Sequence, residues 1–143
     1  PLWDVEVGDV NQAYSVTMAP LAVKDKIIVG VGGGEFGIRG YVAAYDALTG
    51  EEAWKTYTIP GPGEPNHDSW EGDDWEHGGA PVWITGSFDP ELNNLAFALE
   101  STPPDKNTPT GTSLSLWILI ESFKESNTCS YNSSPFAAFE GSA

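Results

Sequence analysis

The sequence predicts an all-β fold. Sixteen glycines, 11 prolines and six tryptophans in 143 residues favour short strands joined by tight turns. Runs of β-branched and aromatic residues recur between turn signals, and residues 1–100 carry no convincing amphipathic helix. The length allows one modest domain and not two.

Val16–Val23 reads as the first strand, with Pro20 marking an edge or a bulge. Lys24-Asp25 is a turn, and the β-branched run Lys26–Val31 is the second arm of the hairpin. Gly40–Tyr45 is a third strand. Asp46-Ala47-Leu48-Thr49-Gly50 is a turn opened by Asp and closed by Gly, and Ala53–Tyr57 is a fourth strand. Further on, Ala80–Ser87 and Leu95–Leu99 repeat the first hairpin through the turn Asp89–Asn93.

A four-stranded up-and-down unit followed by the start of another is the pattern of a β-propeller. Ala44-x-Asp46-x-x-Thr49-Gly50-x-x-x-Trp54 is its sharpest segment. Asp46 and Thr49 can bond turn backbone, Gly50 supplies positive φ, and Trp54 can cover the next sheet. Leu2-Trp3-Asp4-Val5 reads as the end of the same pattern in a preceding blade. The chain then holds about one and a half blades. A small stand-alone β-sandwich is the alternative, and it leaves Leu2-Trp3 and the broken repeat without a reason.

Six Lys and Arg against 21 Asp and Glu give a formal charge of −15. That balance argues against nucleic acid and anionic membrane as partners. No apolar run is long enough for a membrane span, and no leader sequence is visible. The single Cys129 excludes an internal disulfide and a multi-cysteine metal site.

Several motifs in order give the chain a family resemblance. The Ala44–Trp54 segment resembles the tryptophan-docking motif of the pyrroloquinoline quinone (PQQ)-dependent, or quinoprotein, alcohol and methanol dehydrogenases, which are eight-bladed propellers. Gly33-Gly34-Glu35-Phe36-Gly37-Ile38-Arg39-Gly40-Tyr41 resembles the family's Gly-Ala-Glu-x-Gly-x-Arg-Gly-Tyr. Trp70-Glu71-Gly72-Asp73-Asp74-Trp75-x-x-Gly78-Gly79 resembles its Trp-x-Gly-x-x-Trp-x-x-Gly-Gly. Trp83 and Phe88-Asp89-Pro90 follow at the family's spacing. The resemblance runs through about residue 97 and implies an all-β fragment of an eight-bladed propeller over residues 1–100, with an unmatched, irregular tail over 101–143.

The cofactor's chemistry agrees with these residues. PQQ is a flat, tricarboxylated o-quinone that needs an aromatic face, donors for its carboxylates and a hard cation. Calcium takes oxygen ligands. The resemblance implies that Glu35 is a ligand to calcium or a lanthanide, that Trp83 stacks on the quinone, and that backbone at Gly32, Gly33 and Gly34 passes the cofactor. The family often has Ser at the first and Ala at the third of these glycines, and Thr where this chain has Pro81. Gly32 therefore lacks a hydroxyl donor, and Pro81 lacks both hydroxyl and N–H. Read by sequence chemistry alone, Glu35 is a solvated loop carboxylate and Trp83 a core aromatic.

The remaining polar features read blandly. Trp54, Trp70 and Trp75 are docking residues, and Arg39 holds its loop through carbonyls or a carboxylate. Glu64–Glu76 carries six acids and reads as a solvated loop. His67 and His77 lack zinc-site spacing and read as surface residues. No Ser/His/Asp arrangement, P-loop or Rossmann fingerprint appears, and nothing marks Cys129 as a nucleophile.

After Phe97 the family continues Gly-Thr-Gly-Asn-Pro, whose Asn is a metal ligand; here that place falls at Ser101. Phe-Ala-Leu-Glu-Ser can be written TTT GCA CTG GAA TCC. One added G and one added A make it Phe-Gly-Thr-Gly-Asn-Pro. A shifted frame through Ser115–Ile120 likewise yields Ala-Leu-Asp-Pro-Asp, the start of another docking motif. Residues 98–143 thus read as a frame-slipped translation of a blade, with a Ser/Thr/Asn/Pro content that fits poor packing.

The expected function is part of a periplasmic PQQ- and calcium-dependent alcohol dehydrogenase. It would oxidise a primary alcohol to an aldehyde and pass electrons to cytochrome c or a quinone. The chain lacks the family's Asp base and adjacent-cysteine disulfide, so it is expected to be inactive alone. The rival reading is a non-catalytic propeller scaffold that binds proteins and needs neither Glu35 nor Trp83.

Overall fold

The computed structural model of the protein describes residues 1–101 and 115–122. Seven strands, β1 (Leu21–Val23), β2 (Lys26–Gly30), β3 (Tyr41–Asp46), β4 (Glu52–Tyr57), β5 (Ser87–Asp89), β6 (Asn94–Ser101) and β7 (Ser115–Ser122), form two sheets. The first is an antiparallel meander in the order β1-β2-β3-β4, and the second has the order β5-β6-β7. No helix of the described residues is long and apolar enough to cross a membrane.

The β3–β4 turn is built by its own side chains. Asp46 Oδ1 accepts from the N–H groups of Leu48 and Thr49, both at 3.0 Å, and Thr49 Oγ1 accepts from Glu51 N at 3.2 Å. Gly50 closes it at φ 76°. Asp89 repeats the device, accepting from the N–H groups of Glu91 and Leu92. Lys24, at φ 53°, turns the β1–β2 hairpin.

Strand β3 is buried on both faces, as a sheet with neighbours on either side requires. Val42 and Ala44 face one core with Met18, Val23, Ile28, Val82, Leu95, Phe97 and Leu99. Tyr41, Ala43 and Tyr45 face another with Val29, Val31 and Ile38, flanked by Val5, Val7 and Tyr14. The first core joins the two sheets; the second lies under the N-terminal segment. Tyr41 Oη donates to the carbonyl of Val7 and ties that segment down. Burial raises the phenol pKa of Tyr41, Tyr14 and Tyr45.

Three sequence expectations change. The first strand shrinks from Val16–Val23 to Leu21–Val23: Pro20 cannot donate, and upstream only Ser15 bridges to Gly32. Met18 Sδ lies 2.9 Å from Gly30 N and takes the N–H that a longer strand would have paired. The second changes Ala80–Ser87, which is not a strand until Ser87. Val82 N donates to Val31 O and Thr85 Oγ1 to Ala19 O, so this stretch crosses the first sheet's end. The third is the irregular tail. Within it, Ser115–Ser122 pairs antiparallel with the whole of β6, as its apolar run Leu116–Ile120 allows. Cys129 lies outside the described residues.

Candidate cofactor-binding site

The link from β2 to β3 turns on glycine. Gly33 has φ 112°, and a methyl there would sit 2.2 Å from the carbonyl oxygen of Ala13. A single 3-10 turn, Gly34–Phe36, follows and ends at Gly37, φ 73°. Glu35 stands exposed on this turn.

Gly32, Gly33, Gly34 and Glu35 line one cleft of about 540 Å³ with Ser15, Thr17, Gly79, Ala80, Pro81 and Trp83. The five residues singled out in the sequence therefore meet in one place. Trp83 is 45% exposed, so part of its indole is free to meet a flat ligand. Two crossing backbones make the wall. A methyl on Gly32 would lie 3.7 Å from Trp83 Cβ, and one on Gly34 would lie 2.6 Å from Pro81 Cδ.

Sequence reasoning missed Ser15 and Thr17. Ser15 Oγ lies 3.0 Å, and Thr17 Oγ1 3.6 Å, from where a Gly32 side chain would begin. Two hydroxyls thus stand beside the position whose own hydroxyl is lacking. Thr17 Oγ1 also donates to Trp83 O at 3.4 Å. Two hydroxyls spaced by two residues are too common a pattern to have marked a site.

Arg39 fastens this loop to its surroundings. Its Nε and Nη2 donate to Ile59 O at 2.9 and 2.7 Å, and Nη2 to Glu64 Oε2 at 3.2 Å. The guanidinium lies between the rings of Tyr57 and Trp75, 3.9 and 4.7 Å from their centroids. Its backbone pairs with Gly79, and Gly40 N donates to Gly79 O at 2.8 Å. One residue thereby connects the Glu35 turn to the loop that delivers Pro81 and Trp83. Arg39 does hold its loop, through one carbonyl and one carboxylate.

The acids of the surrounding loop are solvent-exposed, as the sequence suggests, and a few contacts pin the loop. Glu64 Oε2 accepts from both Arg39 and Gly61 N. The Trp70 ring covers Gly78, where a methyl would meet it at 2.5 Å. His77 Nδ1 is 3.0 Å from Gly37 O, at the end of the Glu35 turn. His67 is half-buried and 3.1 Å from Pro60 O. Among the described residues no three His, Cys, Asp or Glu side chains gather as a complete metal site. Among the described residues the cleft thus offers a partly exposed indole, bare glycine backbone and one carboxylate, and not a complete metal cage.

Residues 3–110 match the family model described as PQQ, glucose/ethanol/alcohol dehydrogenase, beta-propeller domain. The match runs past residue 97, where the motif resemblance stops. The chain is 44% identical over 105 residues to the quinohemoprotein alcohol dehydrogenase ADH IIB of Pseudomonas putida, covering 66% of this chain and 15% of that protein. It is 40% identical over 111 residues to a lanthanide-dependent methanol dehydrogenase of Methylacidiphilum fumariolicum, covering 64% and 18%. Among solved structures, a europium-containing methanol dehydrogenase aligns with a TM-score of 0.63 at 36% identity, covering 70% of this chain and 20% of that one. The quinohemoprotein alcohol dehydrogenase ADHIIG of Pseudomonas putida HK5 aligns with a TM-score of 0.62 at 41% identity, covering 69% and 16%. The chain thus spans only a small part of the relatives it matches.

Proposed function

The chain belongs to the PQQ family of glucose, ethanol and alcohol dehydrogenase β-propeller domains, and we propose that it contributes part of the cofactor and metal site of a periplasmic enzyme oxidising primary alcohols to aldehydes. The observation that carries this is the convergence of Glu35, Trp83 and the three glycines on one cleft. A scaffold has no need of a carboxylate and an exposed indole facing the same space.

Bound PQQ would supply the two-electron acceptor for the alcohol's hydride. The chain's own residues do the holding. Trp83 offers a face for stacking. Gly32, Gly33 and Gly34 let backbone approach the ring edge. Ser15 and Thr17 offer hydroxyl donors to carboxylates. Glu35 gives a hard oxygen ligand that suits calcium or a lanthanide; the lanthanide-dependent and europium-containing relatives support the lanthanide. Among the described residues we assign no base, so the 143-residue chain is expected to show no alcohol-dependent dye reduction alone.

Cytochrome c or a quinone is the proposed electron acceptor. A relative named methanol dehydrogenase [cytochrome c] subunit 1 supports the former. The frame-slipped tail is part of the same proposal: sequencing the DNA from the Asp89 codon onward should restore Gly-Thr-Gly-Asn-Pro after Phe97.

The functional test is Glu35→Ala in the full-length protein. Metal-dependent, alcohol-dependent dye reduction should be lost while the protein stays folded. Unchanged properties would support the scaffold.

A further inference from the structure

We propose that Pro81 is a positioning residue for the quinone. Its ring seats on the bare Cα of Gly34, so that residues 34 and 81 together set the gap between the Glu35 turn and the Trp83 indole. The inference rests on the cofactor reading of the cleft and adds to it a pair of residues that act as one.

The geometry is specific. A methyl on Gly34 would meet Pro81 Cδ at 2.6 Å and Cγ at 2.7 Å, but Pro81 Cβ only at 3.5 Å. The first two distances are overlaps; the third is ordinary contact. A flexible side chain would swing aside, but a proline ring is closed onto its own backbone nitrogen. Relief must therefore move the backbone that leads, two residues on, to Trp83. Gly34 sits in a 3-10 turn and its φ is not positive. Alanine suits that backbone, so only the proline ring opposes it. Pro81 is buried and lines the cleft beside Glu35.

The two family departures noted in the sequence, Gly for Ala at 34 and Pro for Thr at 81, thus become one. The ring takes the space a methyl would use. It also turns an apolar wall toward the ligand where a donor could have stood, leaving Ser15 and Thr17 to supply hydroxyls.

A double-mutant cycle in the full-length protein tests this, with PQQ and calcium chloride as probes. Urea unfolding of the apoprotein reports packing, and quenching of tryptophan fluorescence reports PQQ binding. Gly34→Ala should lower the unfolding midpoint and weaken PQQ binding by about tenfold. Adding Pro81→Ala should bring both back to within about twofold of the Pro81→Ala single variant in affinity, because the new methyl then meets only a Cβ. Gly33→Ala, blocked by Ala13 and by its φ, should gain nothing from Pro81→Ala. A double variant no better than Gly34→Ala overturns the pairing. Rescue of unfolding with PQQ affinity unmoved throughout overturns the positioning role. Failure of the wild type to bind PQQ, with unfolding still coupled, overturns the cofactor reading rather than the contact.

Discussion

The indole N–H of Trp3 donates to the carbonyl oxygen of Ala47, 3.0 Å away and 44 residues along the chain, while its ring lies on Gly50. A methyl at Gly50 would meet the ring at 2.7 Å. The N-terminal segment is thereby docked onto the β3–β4 turn. Trp54 stands at the matching point of the sequence pattern one unit later. Its indole nitrogen is buried without a hydrogen-bond partner among the described residues, while its side chain packs against the core joining the two sheets.

Gly50→Ala and Gly63→Ala separate the two demands on a turn glycine. Both have positive φ, but among the described residues nothing lies within 4 Å of a methyl on Gly63. Gly63→Ala should cost about 1 kcal/mol from backbone conformation alone. Gly50→Ala adds displacement of Trp3 and should cost about 3 kcal/mol. Urea unfolding of the two variants side by side checks the difference.

Arg39→Lys should not behave as a conservative change. Lysine keeps the charge but loses the two-nitrogen grip on Ile59 O and the flat stack between Tyr57 and Trp75. A loss of about 2 kcal/mol is expected, with increased solvent quenching of Trp75 fluorescence. Glu64→Gln should be milder, since that side chain is 54% exposed and keeps an acceptor.

Phe97→Ala tests the contact between the sheets. Phe97 is 1% exposed and shares a core with Val42 and Ala44 of the first sheet. The expected loss is about 4 kcal/mol by urea unfolding. A loss near that of an exposed residue such as Leu92 would mean that the two sheets do not pack as described.

Acid should weaken the first sheet through its turns. Bonds from the N–H groups of Thr49 and Leu48 hold the Asp46 carboxyl below its ordinary value of 3.8, and the Lys26 ammonium does the same for Asp25. Depressed carboxyls contribute stability that is present above pH 3.8 and is lost as pH falls through their lower folded values. Asp46→Asn can still accept from both N–H groups but cannot titrate. Its unfolding midpoint should fall less than the wild type's between about pH 5 and about pH 2. A wild-type acid limb no steeper than the variant's would contradict the assignment.

How much could be read from the sequence depended on how local each interaction is. The Asp46 and Asp89 turns close within a few residues, so composition and spacing marked them. Trp3, Trp83 and Glu35 were legible through motifs, and the structure brings the latter two to one cleft. The ends of β1 and the course of residues 80–86 were not legible, because they depend on distant partners. Val31 takes the N–H of Val82, and the sulfur of Met18 takes that of Gly30. Glu64 reads as any loop acid along the chain, because its partner Arg39 lies 25 residues away. The reciprocal fit of Gly34 and Pro81 is invisible along the chain, where they stand far apart.

The most direct measurement is a PQQ titration of the full-length protein with and without calcium, comparing wild type, Glu35→Ala and, as a control outside the cleft, Glu91→Ala. Wild type and Glu91→Ala should bind PQQ with metal-dependent quenching of tryptophan fluorescence, and Glu35→Ala should lose the metal dependence. Equal, metal-dependent binding by all three proteins would contradict the account of this cleft.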